Sequence, residues 1–151
     1  MQQGSKDMTE KARVLFVCVH NSARSQMAEA FLNTLSPDRF QAESAGMEPG
    51  MLNPLAVEVM KEVGIDISRN TTKSVYDKHK QGQIFSYVIT VCDEASAEAC
   101  PFFPGLRSHT LHWSFEDPAA FTGTQEEELQ KTRTVRDQIK EKVLEFISET
   151  A

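Results

Sequence analysis

The sequence predicts an α/β domain: a four-stranded parallel sheet flanked by helices on both faces. Three observations predict it. Apolar runs rich in β-branched and aromatic residues alternate along the chain with segments of helical periodicity. The strongest of these runs are apolar at successive positions, as expected of strands covered on both faces. The residues with chemical potential, Cys18, Cys92 and the segment after Trp113, fall at the carboxyl ends of predicted strands, where open parallel sheets bind ligands.

Taken in order, residues 1–11 are polar and mixed in charge and are expected to form a flexible tail, leaving 12–151 as a single domain. Arg13–Cys18, with Val14-Leu15-Phe16-Val17, predicts the first strand. Ser25-Gln26-Met27-Ala28-Glu29-Ala30-Phe31-Leu32 predicts a helix over about Arg24–Leu35, closed by Ser36-Pro37. Phe40–Ser44 predicts a short strand ended by Ala45-Gly46. Asn53-Pro54 combines an N-cap with proline at the first helical position. The helix it opens carries Leu55, Val57, Val59, Met60 and Val63 and stops at Gly64. Ile84–Cys92 predicts the strongest strand, and Arg107–Trp113 another that alternates less cleanly. Thr124 and Glu127 form a capping box that opens a long helix through Ile147. Its apolar residues Leu129, Val135, Ile139, Val143, Phe146 and Ile147 share one stripe.

At 151 residues the chain is long enough for one substantial core, and 40% hydrophobic with 25% charged residues is the composition of a soluble globular protein. A net charge of −6 gives no support to a nucleic-acid or anionic-membrane partner. It also requires that any oxyanion site be locally positive. No apolar run approaches the roughly 20 residues of a membrane span, and the N-terminal residues contain no signal-peptide core. A cytoplasmic monomer is expected. Three cysteines in such a domain do not make a structural disulfide framework.

Between the first strand and the first helix lies Cys18-Val19-His20-Asn21-Ser22-Ala23-Arg24, followed by Ser25. Strand, short loop and helix N-terminus make an anion cradle, with loop amides and the positive end of the helix dipole converging on one point. Cys18 sits at its floor, where the same field favours a thiolate. Arg24 offers a bidentate fork to a tetrahedral oxyanion, and Ser25 is placed to donate to the sulfur. A cysteine six residues before an arginine is common by chance; the strand before it, the helix after it and the small polar residues between give it weight. A thiolate beneath a bound oxyanion is suited to attack a phosphate-like substrate.

Asp117-Pro118 follows the last strand. It is either a simple turn or the source of the proton that an oxygen leaving a tetrahedral centre requires; its place after a strand end favours the acid. Cys92 and Cys100 are separated by small, acidic, helix-compatible residues. As a helix the segment holds the two sulfurs apart, and unwound it lets them bond, which makes a redox-sensitive segment, with Pro101-Phe102-Phe103-Pro104-Gly105 fixing its far end. The other readings are a core cysteine beside an incidental one, or a zinc site, which lacks paired ligand spacing. His79, His109 and His112 form no recognisable arrangement and are read as surface or strand residues. Trp113 and Phe102-Phe103 are read as packing on the core or over the redox segment.

The run from Val17 to Phe31 closely resembles the thioredoxin-coupled arsenate reductases, which are built on the low-molecular-weight protein tyrosine phosphatase fold. The resemblance continues through Ser44-Ala45-Gly46, Ile65-Asp66-Ile67-Ser68, Val91-Cys92, Cys100-Pro101, His112-Trp113 and Asp117-Pro118-Ala119. It implies arsenate as substrate, with phosphate or sulfate competing, and thioredoxin as reductant. It assigns Cys18 as nucleophile, Val19, His20, Asn21, Ser22, Ala23, Arg24 and Ser25 as the oxyanion cradle, and Asp117 as general acid. Ser25 stabilises the Cys18 thiolate and Asn21 shapes the loop. The resemblance further implies that Cys92 attacks Cys18 and that Cys100 resolves the result, leaving a Cys92–Cys100 disulfide. No cofactor is implied. Some members bind potassium through positions resembling Asn21, Glu29, Ser44 and an aspartate that is Lys73 here, so no potassium requirement is expected. His20 stands where many relatives carry glycine. The alternative is a low-molecular-weight tyrosine or aryl phosphatase using Cys18, Arg24 and Asp117 identically. Cys92, Cys100 and Ala119-Ala120-Phe121, where such phosphatases often place tyrosines, favour the reductase. A non-catalytic oxyanion- or arsenite-binding regulator would leave Asp117 without a role.

Overall fold

A computed structural model describes residues 11–81, 84–91 and 107–150. Along the chain run β1 (Ala12–Cys18), α1 (Arg24–Leu35), β2 (Phe40–Gly46), α2 (Pro54–Glu62), α3 (Val75–Lys80), β3 (Phe85–Thr90) and β4 (Arg107–His112). A 3-10 turn (Pro118–Ala120) and α4 (Gln125–Glu149) complete it. The strands form one parallel sheet in the order β2-β1-β3-β4. The predicted α/β class is therefore the observed one.

β1 explains why its sequence is apolar without a break. Val14, Phe16 and Cys18 face a core shared with α1, α2 and α4, including Met27, Leu32, Val59, Met60, Val135, Ile139 and Val143. Leu15 and Val17 face the opposite layer, packed with Ala45, Phe85, Val88 and Val75 of α3. A central strand between two layers has no polar side to show. β2 lies on one flank of β1, and β3 with β4 on the other, so the chain reverses its direction of winding at β1. The crevice this opens lies outside the carboxyl ends of β1 and β3. Val91 N–H donates to Val17 O at 2.8 Å there, next to Cys18.

The helix ends follow local chemistry. Asn53 caps α2, its side chain accepting from Leu55 N–H, and Thr124 and Glu127 complete both arms of the capping box on α4. Trp113 is a core residue, its ring 5.7 Å from that of Phe16 and 5.9 Å from that of Phe146.

Three details differ from expectation. β2 runs on to Gly46 instead of ending before it, because Gly46 pairs with Cys18 and its N–H donates to Lys73 O at 2.8 Å. α3 has no periodic apolar signal in Val75-Tyr76-Asp77-Lys78-His79-Lys80; buried Val75 and the buried Lys78, paired with Glu43 at 2.7 Å, seat it. β3 runs from Phe85, which pairs with Arg107, to Thr90, leaving Ile84 exposed, and Cys92, Cys100 and Pro101–Gly105 lie outside the described residues.

Candidate active site

The loop between β1 and α1 is held by its carbonyl groups. Cys18 O, Val19 O, His20 O and Ser22 O accept from the N–H groups of Met47, Glu48, Gly50 and Asn53, at 2.8–3.2 Å. Each such bond draws a carbonyl outward and turns the N–H of the same peptide plane to the inner side. The Asn21 N–H shows the result: it donates to Cys18 Sγ at 3.2 Å. α1 then begins at Arg24 with Ala23 at its N-cap, no side-chain cap and no acidic residue in its first turn. α2 and α4 both have side-chain caps. The end of α1 thus presents its N–H groups to the site.

Gly46 allows the close approach beneath this loop. A Cβ there would stand 2.7 Å from Asn21 N and 2.8 Å from both His20 C and Val19 O. Only a residue without a side chain fits at the end of β2.

Cys18 is buried at 2% exposure. Its sulfur lies 3.0 Å from Ser25 Oγ. The direction of that hydrogen bond follows from its neighbours. Lys73 N–H donates to Asn21 Oδ1 at 2.9 Å, which identifies the oxygen end of that amide, so Asn21 Nδ2 donates to Ser25 Oγ at 2.7 Å. With its oxygen engaged as an acceptor, the Ser25 hydroxyl directs its single proton to the sulfur. Asn21 is itself wholly buried and has φ +55°, the only non-glycine residue in the left-handed region among the described residues.

Arg24 and Asp117 meet across the crevice. The guanidinium, 3% exposed, donates through Nη1 to Phe115 O at 3.2 Å, and its Nη2 stands 3.3 Å from Asp117 Oδ2. Asp117 Oδ1 accepts from Ala119 N–H at 3.0 Å, which fixes the carboxylate at the mouth of the site. Anchored this way, the Arg24 guanidinium is held in place before any anion arrives. Val19, Ser22 and Ala23 supply backbone to the loop. His20 is exposed and folds back, its Nδ1 2.9 Å from Glu48 O, over Gly50. Cys18, Asn21 and Ser25 thus form one hydrogen-bonded cluster, and Arg24, next to Ser25 in the chain, pairs with Asp117. Cys92 and Cys100 lie outside the described residues.

Beneath the loop lies a buried polar group that spacing alone does not reveal. Ser44, at 0% exposure, donates to Glu29 Oε1. Burial pushes the Glu29 carboxyl above its ordinary range; the Ser44 hydrogen bond and the charge of Lys73 oppose it. Burial likewise pulls the Lys73 ammonium below its ordinary range, against the attraction of Glu29. The ammonium donates to Thr71 O at 2.9 Å. These residues do not fit a bound potassium ion. Asn21 Oδ1 already accepts from Lys73 N–H and Gln26, Glu29 accepts from Ser44, and the Lys73 ammonium already supplies a positive charge near the carboxyl.

The chain is similar to known proteins along most of its length. Residues 13–151 match the family described as low molecular weight phosphotyrosine protein phosphatase. The arsenate reductase of Bacillus subtilis (strain 168) is 42% identical over 137 residues, covering 91% of this chain and 96% of that protein. Among solved structures, an arsenate reductase in the phosphate binding state superimposes with a TM-score of 0.77 at 33% identity, over 93% of this chain and 99% of that one. The thioredoxin-dependent arsenate reductase of Corynebacterium glutamicum gives 0.59 at 27% identity, over 93% of this chain and 66% of that one.

Proposed function

Because the chain belongs to the low molecular weight phosphotyrosine protein phosphatase family, we propose that it uses the family's cradle as an arsenate reductase, with three thiols carrying electrons to arsenic. The observation that carries this reading is a nucleophile site built for a tetrahedral oxyanion, in a chain whose curated relatives at 40–42% identity are arsenate reductases. The chain is an enzyme of this class.

Arsenate enters the cradle, held by the loop N–H groups and the Arg24 fork. Cys18 Sγ attacks arsenic, an As–O bond breaks, and Asp117 gives the departing oxygen its proton. Before the attack, the Ser25 proton and the Asn21 N–H stabilise charge on the sulfur. Cys92 then attacks the Cys18 sulfur. The S–As bond breaks with its electron pair kept by arsenic, As(V) becomes As(III), and arsenite leaves a Cys18–Cys92 disulfide behind. Cys100 attacks Cys92 and frees Cys18. An external dithiol reduces the resulting Cys92–Cys100 disulfide. Thioredoxin is the reductant in this reading, supported by the thioredoxin-dependent neighbour. The reaction belongs in the cytoplasm, where such reductants act. The roles of Cys92 and Cys100 rest on the sequence and the family resemblance.

Weak hydrolysis of aryl phosphates accompanies this activity, since phosphate shares the geometry of arsenate and water can complete the cycle. A thiol count after one turnover tests the proposal. Reduced protein mixed with a small excess of arsenate should lose two of its three thiols and release one arsenite, with Cys92 and Cys100 bridged on peptide mapping. Survival of all three thiols without arsenite would leave the phosphatase reading in its place.

A further inference from the structure

Gln26 is wholly buried one turn into the most important helix of the site, and no step above uses it. We infer that Gln26 is a positioning residue for the nucleophile: it locks Asn21 in the one orientation that delivers the Ser25 proton to the Cys18 sulfur. The inference rests on Cys18 being the nucleophile and holds for either anion chemistry.

The orientation of every group in this chain of hydrogen bonds is set by backbone atoms at its far end. Gln26 Nε2 lies 3.1 Å from Asn21 O and 3.0 Å from Thr71 O, two backbone acceptors, so the amino end of the amide must be there. Its Oε1 accepts from Asn70 Nδ2 at 3.0 Å. The same Nε2 lies 3.2 Å from Asn21 Oδ1, which also accepts from Lys73 N–H. The Asn21 amide is thereby forced to turn Nδ2 to Ser25, and the hydroxyl proton is left for Cys18.

Gln26 has a second hold. Asn21 occupies a left-handed conformation that a non-glycine residue keeps only when its surroundings impose it. The bond from Gln26 Nε2 to Asn21 O grips the peptide that follows, and through Thr71 and Asn70 it ties the loop to the segment in front of α3. An apolar side chain of equal size would fill the volume and lose both holds. A buried amide with every polar atom engaged and no solvent to fall back on is a costly choice for packing alone.

The test follows iodoacetamide alkylation of Cys18 at neutral pH in the full-length protein, using peptide mass mapping to separate it from Cys92 and Cys100. Gln26→Met keeps length and volume but donates nothing. We expect Cys18 alkylation and arsenate kcat to fall about tenfold, the effect of a weakened hydrogen bond to a charged group. The alkylation deficit should close as pH rises, because the thiolate is the reacting form. The phosphate concentration that protects Cys18 should stay within about twofold, since the anion donors themselves remain. Asn70→Ala, at a half-buried position, loosens Gln26 without removing a core side chain and should slow alkylation about threefold. It carries the test if Gln26→Met does not fold. Asn33→Ala is the control for mere loss of stability. Asn33 brackets α1 to β2 through the N–H and C=O of Ala42, at 2.8 and 3.0 Å. Its loss lowers Tm and leaves Cys18 alkylation at the wild-type rate. Alkylation within twofold of wild type in the Gln26 and Asn70 variants, or equal slowing in Asn33→Ala, overturns the inference. Arsenate turnover retained by Cys18→Ser would instead overturn the nucleophile assignment, whatever the Gln26 variants do.

Discussion

Gly46→Ala is the smallest change that should damage the site without touching a reactive group. The new methyl carbon would meet Asn21 N at 2.7 Å and His20 C and Val19 O at 2.8 Å. Unstrained contact begins at about 3.5 Å, so the loop must retreat by roughly 0.7 Å. All three obstructing atoms are backbone, and none can rotate aside. The retreat moves the amide donors of the cradle and pulls on the carbonyl bonds that hold it to residues 47–53. Overpacking of this kind costs about 1–3 kcal/mol, offset by about 0.4–1 kcal/mol from a stiffer unfolded chain. The middle of that net range, about 1.3 kcal/mol, lowers Tm by about 3–5 °C. Misplacement approaching an ångström costs up to about 10²-fold in rate, so kcat/KM for arsenate should fall between about tenfold and a hundredfold. Gly64→Ala separates the two effects. Gly64 has φ +84° and nothing within 4 Å of an added Cβ, so alanine there strains the backbone only. It should lower Tm and leave kcat/KM unchanged. Arsenate-dependent thiol loss and thermal unfolding of both variants are the assays. Full activity in Gly46→Ala would refute the claim that the end of β2 sets the shape of the cradle.

Ser25→Ala removes the proton directed at Cys18, worth about 1.5–3 kcal/mol for a bond to a charged atom. Turnover should fall about tenfold to a hundredfold while phosphate inhibition changes far less; equal losses in both would mean that Ser25 only shapes the loop. Asp117→Asn should lower kcat by about 10²–10⁴-fold and bind phosphate at least as tightly, because Arg24 loses a competing carboxylate. An arsenate kcat within threefold of wild type would remove Asp117 from the chemistry. Lys73→Met should make stability more sensitive to pH. Burial raises the Glu29 carboxyl above its ordinary 4.5, so the neutral form favours folding below that value and the contribution is lost as pH rises through the folded value. Lys73 opposes the rise, and without it the loss deepens. Urea unfolding should show a larger deficit near pH 8 than near pH 5; a deficit that grows toward acid would contradict the Glu29–Lys73 coupling.

Much of the molecule was legible because its signals are local. The capping box at Thr124 and Glu127, the Asn53-Pro54 start of α2 and the unbroken apolar run of β1 each act within a few residues, where spacing determines geometry. The position of the Cys18–Ser25 loop, between a strand and a helix N-terminus, was equally local, whereas the inward aim of its amides depends on the bonds from residues 47–53. α3 escaped notice because buried Val75 and the Lys78–Glu43 ion pair, not an apolar period, seat it. Gln26 read as an ordinary helical residue because its partners, Asn70 and Thr71, lie 44 and 45 positions away.

The sequence by itself determined the fold class and singled out Cys18, the loop to Ser25 and Asp117 as the proposed nucleophile, cradle and acid. Tertiary structure decided how those parts are aimed. Arg24 is oriented by Phe115 O, 91 residues distant, and Asn21 by Lys73 N–H, 52 residues distant. Gly46 matters because a neighbouring parallel strand brings it under the loop. Parallel strands are joined by long crossovers, so residues that share a carboxyl edge of the sheet are far apart in sequence. Their contacts depend on strand order and register, which no local spacing encodes.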